Sequence, residues 1–213
     1  MTDLEFKKEL EKIVGVSTHL RPFVCDGYPL KSEVFIVGIN PATQMTSNFW
    51  DFWEDGKFIK SKWMEQYLLE REKKHHKISP TRRKIDYLVN EIFTDYKCLE
   101  TNAYSTPTVN LNALETEQRN TDILSFLIHN IRPKAIFVHG TDPAEFIKKE
   151  LGLKFISPKP VVVNYESSNV VSTFVYEWAF GKTAVCATRH LRLIKKEEIT
   201  KAGKDLLTAL KKV

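Results

Sequence analysis

The chain is poor in cysteine. Cys25, Cys98 and Cys186 are its three thiols, too few and too scattered for a disulfide framework or a C-x-x-C metal motif. Cys98 and Cys186 stand in apolar, strand-like runs and read as small core residues, which fits a reducing compartment. Long apolar runs are also missing. None approaches the ~20 residues of a membrane span, so no membrane partner is expected. The opening stretch, MTDLEFKKELEKIV, alternates charge with apolar residues at helical spacing and does not read as a secretory leader. There is no internal repeat, no low-complexity tract and no linker-like stretch. The 213 residues therefore read as a single domain, residues 1–213, with a well-buried core.

Positive charge is what the chain does have. Its formal net charge is +5 and its pI about 9.0, which suits a polyanionic partner. The charge is uneven. The segment Arg71–Lys84 carries Arg71, Lys73, Lys74, Lys77, Arg82, Arg83 and Lys84 against the single acid Glu72, with His75 and His76 between. It reads either as a phosphate-contacting surface or as a solvated face. The C-terminal lysines, from Lys195 to Lys212, alternate with acids and read as a solvated helix face.

Hydrophobic periodicity alternates between α and β. Helices are expected at Leu4–Val14, about Lys62–Lys74, Thr81–Tyr96, Glu117–Asn130, Pro143–Leu151 and about Glu197–Leu210. Strands are expected at Val34–Ile39, Cys98–Ala103 and Ala135–His139, with further β-rich runs at 161–163, 170–176 and 183–188. Strands separated by helices predict a parallel sheet covered on both faces.

The run Val34-Phe35-Ile36-Val37-Gly38-Ile39-Asn40-Pro41-Ala42 is the most informative stretch. Its first half is continuously apolar, as in a strand buried on both faces. Gly38 permits close backbone approach, and Pro41 keeps Asn40 out of the helical region. A polar side chain is thus held at the carboxyl end of a buried strand, where open α/β sheets place ligands. Taken alone, the stretch reads equally as a strand-to-loop turn with an Asx cap. Later strands end in polar residues as well, in TNAYSTP (101–107), IRPKAIFVHGT (131–141) and RHLR (189–192). A parallel sheet would bring Asn40, Asn102 and His190 to one crevice.

In their order and spacing these segments resemble the uracil-DNA glycosylase superfamily, over most of the chain from Val34 to Leu193. GINPA is similar to the water-activating motif of the mismatch-specific branch, which has Asn where other branches have Asp. TNAYSTP is similar to the strand whose Asn reads the flipped base. IRPKAIFVHGT is similar to the core strand and phosphate-pinching loop, with Thr141 in place of Ser. RHLR is a partial match to the late His motif, since Leu191 and Arg192 replace Pro-Ser. No four-cysteine pattern is present, unlike the iron–sulfur branches.

The resemblance implies a three-layer α/β/α sandwich around a central, mostly parallel four-stranded sheet. It implies a monofunctional DNA glycosylase acting on uracil or a modified pyrimidine, as a monomer, with DNA as partner and no cofactor or metal. The compartment would be the cytoplasm, near the nucleoid in a bacterium, or the nucleus in a eukaryote. Asn40 would orient water; as an amide it cannot act as a base, so slower chemistry is expected. His190 would donate to the departing base. Asn102 would read the base's edge with its amide donor and carbonyl acceptor. Gly38, Ile39 and Ala42 would line the base, with Phe49 or Trp50 stacking on it. Ala42 stands where the most uracil-restricted branch has a Tyr that blocks 5-methyl groups, so the pocket should admit larger pyrimidines. Thr106, Gly140 and Thr141 would meet phosphate, as would Arg82, Arg83 and Lys84. Leu191, Arg192 or Leu193 would enter the gap left by the base. Two other readings stay open: a catalytically weak or inactive nucleic-acid-binding module, and a glycosylase for hypermodified, phage-type bases.

Overall fold

The computed structural model describes residues 1–109, 111–151, 161–163, 171–178 and 181–213, with backbone alone at 161–163 and 171–178. The elements run in the order α1 (Asp3–Val14), β1 (Phe23–Cys25), β2 (Val34–Gly38), β3 (Trp53–Glu54), β4 (Lys57–Phe58), α2 (Lys60–Lys73), α3 (Pro80–Tyr87), β5 (Cys98–Asn102), α4 (Asp122–Ile131), β6 (Ala135–His139), α5 (Thr141–Glu150), β7 (Val161–Val163), β8 (Val171–Trp178), β9 (Gly181–Thr188) and α6 (Lys196–Leu210). The protein is α/β, with β3 and β4 forming a small separate hairpin.

One sheet of seven strands, ordered β1-β5-β2-β6-β9-β8-β7, organises the chain. Its middle four strands, β5, β2, β6 and β9, are parallel to one another. The flanks are antiparallel: β1 on β5, β8 on β9, and β7 on β8. The expected four-stranded sheet is thus the centre of a larger mixed one. Strand β1 is too short to show periodicity, and β8 runs so soon into β9 that only an antiparallel pairing is open to it. Val170, expected to open that strand, lies outside the described residues.

Alternate residues of each central strand feed two cores. Phe35, Val37, Leu99, Ile136, Val138 and Val185 pack with α1, α2, α4 and α5. Val34, Ile36, Ala135, Phe137, Ala184 and Cys186 pack with Leu88, Phe93 and the apolar face of α6. This is the pattern of a sheet covered on both faces.

Local chemistry sets the element ends. Helix α1 opens on a capping box, in which Thr2 accepts from the Glu5 N–H and Glu5 accepts from the Thr2 N–H. The helix expected to run to Tyr96 instead ends its α geometry at Tyr87. Leu88–Ile92 follow as a π turn, closed by the Phe93 N–H on the Leu88 carbonyl at 2.8 Å. The wider turn puts Leu88 and Phe93, both fully buried, on one face. Helix α4 starts at Asp122 rather than Glu117, because the Asn120 side chain accepts from the Asp122 N–H at 2.6 Å and holds the preceding residues in turns.

Candidate functional site

Along the central strands the chain order is β2, β5, β6, β9, while the spatial order is β5-β2-β6-β9. The chain moves to one side of β2 and then to the other. The carboxyl ends of β2 and β6 therefore flank a topological switch point, where an open sheet leaves a crevice. A cavity of about 560 Å³ opens there, lined by Ile39, Asn40, Ala42, Asn102, His139 and His190 among others. Cavities of ~300–1,000 Å³ take drug-sized ligands.

The loops after β2 and β5 are fastened side by side. The N–H groups of Ala103, Tyr104 and Thr108 donate to the carbonyls of Gly38, Ile39 and Pro41 at 2.8, 2.9 and 2.9 Å. This brings Thr108 to Asn40, whose Nδ2 donates to the Thr108 carbonyl at 3.0 Å and to Thr108 Oγ1 at 2.8 Å. A carbonyl accepts only, so these bonds fix the amide's orientation. Asn40 Oδ1 is left as an acceptor, with no hydrogen-bond partner among the described residues.

Gly38 is needed for space. A Cβ there would stand 2.8 Å from Asn102 Oδ1, 2.9 Å from His139 Cε1 and 3.0 Å from His139 Nε2. No real side chain fits at those distances. Absence of a side chain at 38 is what lets Asn102, paired with Gly38 in register, and His139 face the same small volume.

His190 follows β9 and caps a short 3-10 turn, Leu191–Leu193. Its Nδ1 accepts from the Arg192 N–H at 3.2 Å. The neutral ring therefore carries its proton on Nε2, as a donor. Partial burial lowers the pKa of His190, and Arg192 and Lys84 lower it further. The ring of His139 lies edge-on to that of His190, with centroids 5.2 Å apart. His139 is 4% exposed; burial first, and then His190, pushes its pKa down to about 3. Both imidazoles are neutral at pH 7.

A second wall of the same cavity is ionic. Glu100 is buried and pairs with Arg82 and with Lys60, the latter at 2.8 Å. Arg82 also reaches Asp86 at 2.8 Å. Burial alone would raise the Glu100 carboxyl, but Arg82 and Lys60 outweigh it and hold it down to about 2. Arg21 lies over Trp63 with its guanidinium carbon 4.8 Å from the ring centroid, and donates to the Thr43 carbonyl at 2.6 Å.

Of the residues singled out in the sequence, Gly38, Ile39, Asn40, Ala42, Asn102 and His190 come together here. Arg192 and Leu193 line the rim and are exposed. Others go elsewhere. Phe49 is 4% exposed inside an aromatic cluster with Phe23, Trp50 and Phe58. Trp50 donates through Nε1 to the Gly15 carbonyl at 2.8 Å. Neither lines the cavity; its aromatic wall is Phe23, Trp63 and Tyr67. Leu191 is fully buried in the core under α6 and cannot enter a helix of DNA; the exposed apolar side chain of that turn is Leu193. Thr106 lines a neighbouring cavity of about 650 Å³. Gly140, at φ 107, spends its N–H on the Thr188 carbonyl at 2.9 Å, and Thr141 is exposed at the start of α5.

The basic segment divides in the same way. Arg82 is buried in the ion pairs described above, and Lys84 donates to the Leu191 carbonyl at 2.7 Å and to that of Ile194. Neither has its charge on the open surface. Arg83, Lys73, Lys74 and Lys77 do.

His139, Phe23, Trp63 and Tyr67 were not legible as site residues. His139 ends its strand and reads equally as a half-buried strand residue, and the three aromatics come from segments with no polar motif beside them. No family model matches the chain, and no curated protein matches it significantly.

Proposed function

We propose that the chain is a DNA glycosylase that hydrolyses the N-glycosidic bond of uracil or a modified pyrimidine flipped out of DNA. The fold in this reading is the three-layer α/β/α sandwich of the uracil-DNA glycosylase kind. The observation that carries the reading is the convergence of Asn40, Asn102 and His190 on one crevice at the switch point, each with the hydrogen-bonding capacity its role requires. Asn40 Oδ1 accepts from a water and orients it toward the sugar. Asn102 reads the base edge. His190 donates from Nε2 to the leaving base while staying neutral, so the developing anion gains a hydrogen bond without full proton transfer. Ala42 is exposed at the cavity, and its small side chain leaves space for a substituted base.

One observation favours the second reading, a nucleic-acid-binding module of weak activity. The one carboxylate among the described cavity residues, Glu100, is committed to Arg82 and Lys60, so no general base stands free beside Asn40. Single-turnover excision on a panel of base-modified oligonucleotides separates the two. The glycosylase reading expects abasic product from wild type. His190→Ala should lose ~10²–10³ in rate, and Asn40→Ala should slow hydrolysis at near-unchanged DNA affinity. DNA binding with no abasic product from any base in the panel would leave only the binding module.

A further inference from the structure

His139 takes no part in the roles above, yet it has the setting of a working group. It stands at the carboxyl end of β6, lines the cavity and is almost wholly enclosed. Its Nδ1 is buried and has no hydrogen-bond partner among the described residues. Its Cε1–Nε2 edge faces the space above Gly38, the space that Asn102 Oδ1 also faces. Its ring meets that of His190 edge-on at 5.2 Å between centroids.

An enclosed, unpartnered N–H costs more than an enclosed, unpartnered lone pair. The favoured tautomer therefore leaves Nδ1 bare and puts the proton on Nε2, toward the cavity. His190 carries its own proton on Nε2, because Arg192 donates to its Nδ1. Two N–H donors, one at the end of β6 and one just after β9, thus open into one cavity.

Resting on the glycosylase reading, we propose that His139 is a second catalytic donor, acting with His190 as a pair of neutral imidazoles that holds the departing pyrimidine as its anion. When the C1′–N1 bond breaks, its electron pair goes to the base and spreads over the ring nitrogen and the carbonyl oxygens. Each imidazole donates a hydrogen bond and keeps its proton. Water supplies hydroxide to C1′, and its proton passes to solvent. Burial keeps His139 neutral through the physiological range, so repulsion between two imidazolium rings never arises. The pair offsets in part what an amide at position 40 cannot provide, because better stabilisation of the leaving group lowers the demand on the water.

The test compares leaving groups. His139→Phe keeps an aromatic ring and removes both nitrogens; His139→Gln restores a donor. Single-turnover rates are measured on DNA containing uracil and on DNA containing 5-fluorouracil, a more stable anion. The expected loss for His139→Phe is ~10²-fold on uracil, by analogy with single oxyanion donors, smaller on 5-fluorouracil, and partly rescued in His139→Gln. Equal loss on both bases, or wild-type rates, overturns the proposal. A second readout needs neither excision nor a stable variant. Free 5-nitrouracil, ionised at neutral pH, is titrated into ¹⁵N-histidine-labelled wild-type protein. The Nε2 signals of His139 and His190 should move together. Movement of His190 alone, or of neither, overturns the donor pair. Joint movement in a protein that excises nothing would retire the glycosylase reading and leave the paired site standing.

Discussion

The cavity has two polar walls built on opposite principles. On one side stand neutral groups: Asn40, Asn102, His139 and His190. On the other stand the charges of Arg21, Arg82 and Glu100, with Lys60 and Asp86 paired to them outside the lining. The charged wall is the stronger electrostatically and the less available. Glu100 is shared between Arg82 and Lys60, and Arg82 between Glu100 and Asp86, so these charges pair with one another and tie together α2, α3 and β5, although Arg82 Nε and Nη2 make no hydrogen bond among the described residues. The neutral wall is only half satisfied. Asn40 has one end tied to Thr108, and His190 has one nitrogen tied to Arg192. The opposite ends stay open to the cavity. Where buried charge must be paired to survive, neutral amides and imidazoles can be held by one atom and work with another.

The comparison breaks most sharply at Arg82. Arg82→Met strands Glu100 with Lys60 alone, and removal of one partner from a buried pair costs ~3–5 kcal/mol. Denaturant melts should show a loss of that size, while Arg82→Met combined with Glu100→Leu should recover part of it. A loss under about 1 kcal/mol, the scale of an exposed pair, would mean that the charged wall is not structural.

Gly38→Ala attacks the neutral wall. The new methyl would push Asn102 and His139 from their common space, and misplacement of reacting groups by about 1 Å costs ~10²-fold. Excision rate should fall by that order, while melts move by the ~1–3 kcal/mol of local overpacking. An unchanged rate would show that the two side chains need not share the gap.

Acid separates the walls by pH. His139, with a folded pKa near 3, binds a proton less readily than in the unfolded chain, so its contribution is complete above ~6.5 and is lost as pH falls toward 3. Glu100, with a folded pKa near 2, is depressed relative to an unfolded value of ~4.3; its contribution is complete above that value and is lost as pH falls through 2. Stability should therefore decline in two overlapping steps. His139→Phe should flatten the upper one and leave the lower. A single step near the unfolded carboxylate value of ~4 in wild type would remove His139 as a source of acid sensitivity.

The smallest effect belongs to the open surface. Lys74, Lys77 and Arg83 are exposed. Replacing them by Gln should lower the salt slope of DNA binding by ~1 for each phosphate no longer neutralised, without moving the melting temperature. Arg82 and Lys84 stay out of that variant, because their charges face inward. An unchanged slope would make this face a merely solvated one.

Much of the scaffold could be read from the chain. Apolar runs at 34–38 and 135–139 became central parallel strands, because continuous apolar, β-rich sequence has no stable place except between two covered faces; the more polar 98–102 joined them as the neighbour of β2. Gly38, Asn40 and Asn102 could be singled out because strand ends are local features, marked by glycine, proline and a change of polarity; Ala42 was singled out only by the family resemblance. RHLR gave His190 in the same way, but not which of its neighbours would be buried.

What the sequence by itself determined is the alternation of elements and the list of polar residues at strand ends, since both follow from short-range pattern. What the tertiary structure alone decided is which of those residues keep a free atom. Arg82 and Arg83 are adjacent in sequence; α3 turns one into the Glu100 pair and the other to solvent. Leu191 and Leu193 are two apart; one fills the core beneath α6 and the other stands on the rim. His139 is a polar strand end like the others and becomes a site residue only because β6 lies beside β2, where Gly38 leaves it room. Partners of this kind are set by packing between distant segments, and no local pattern encodes them.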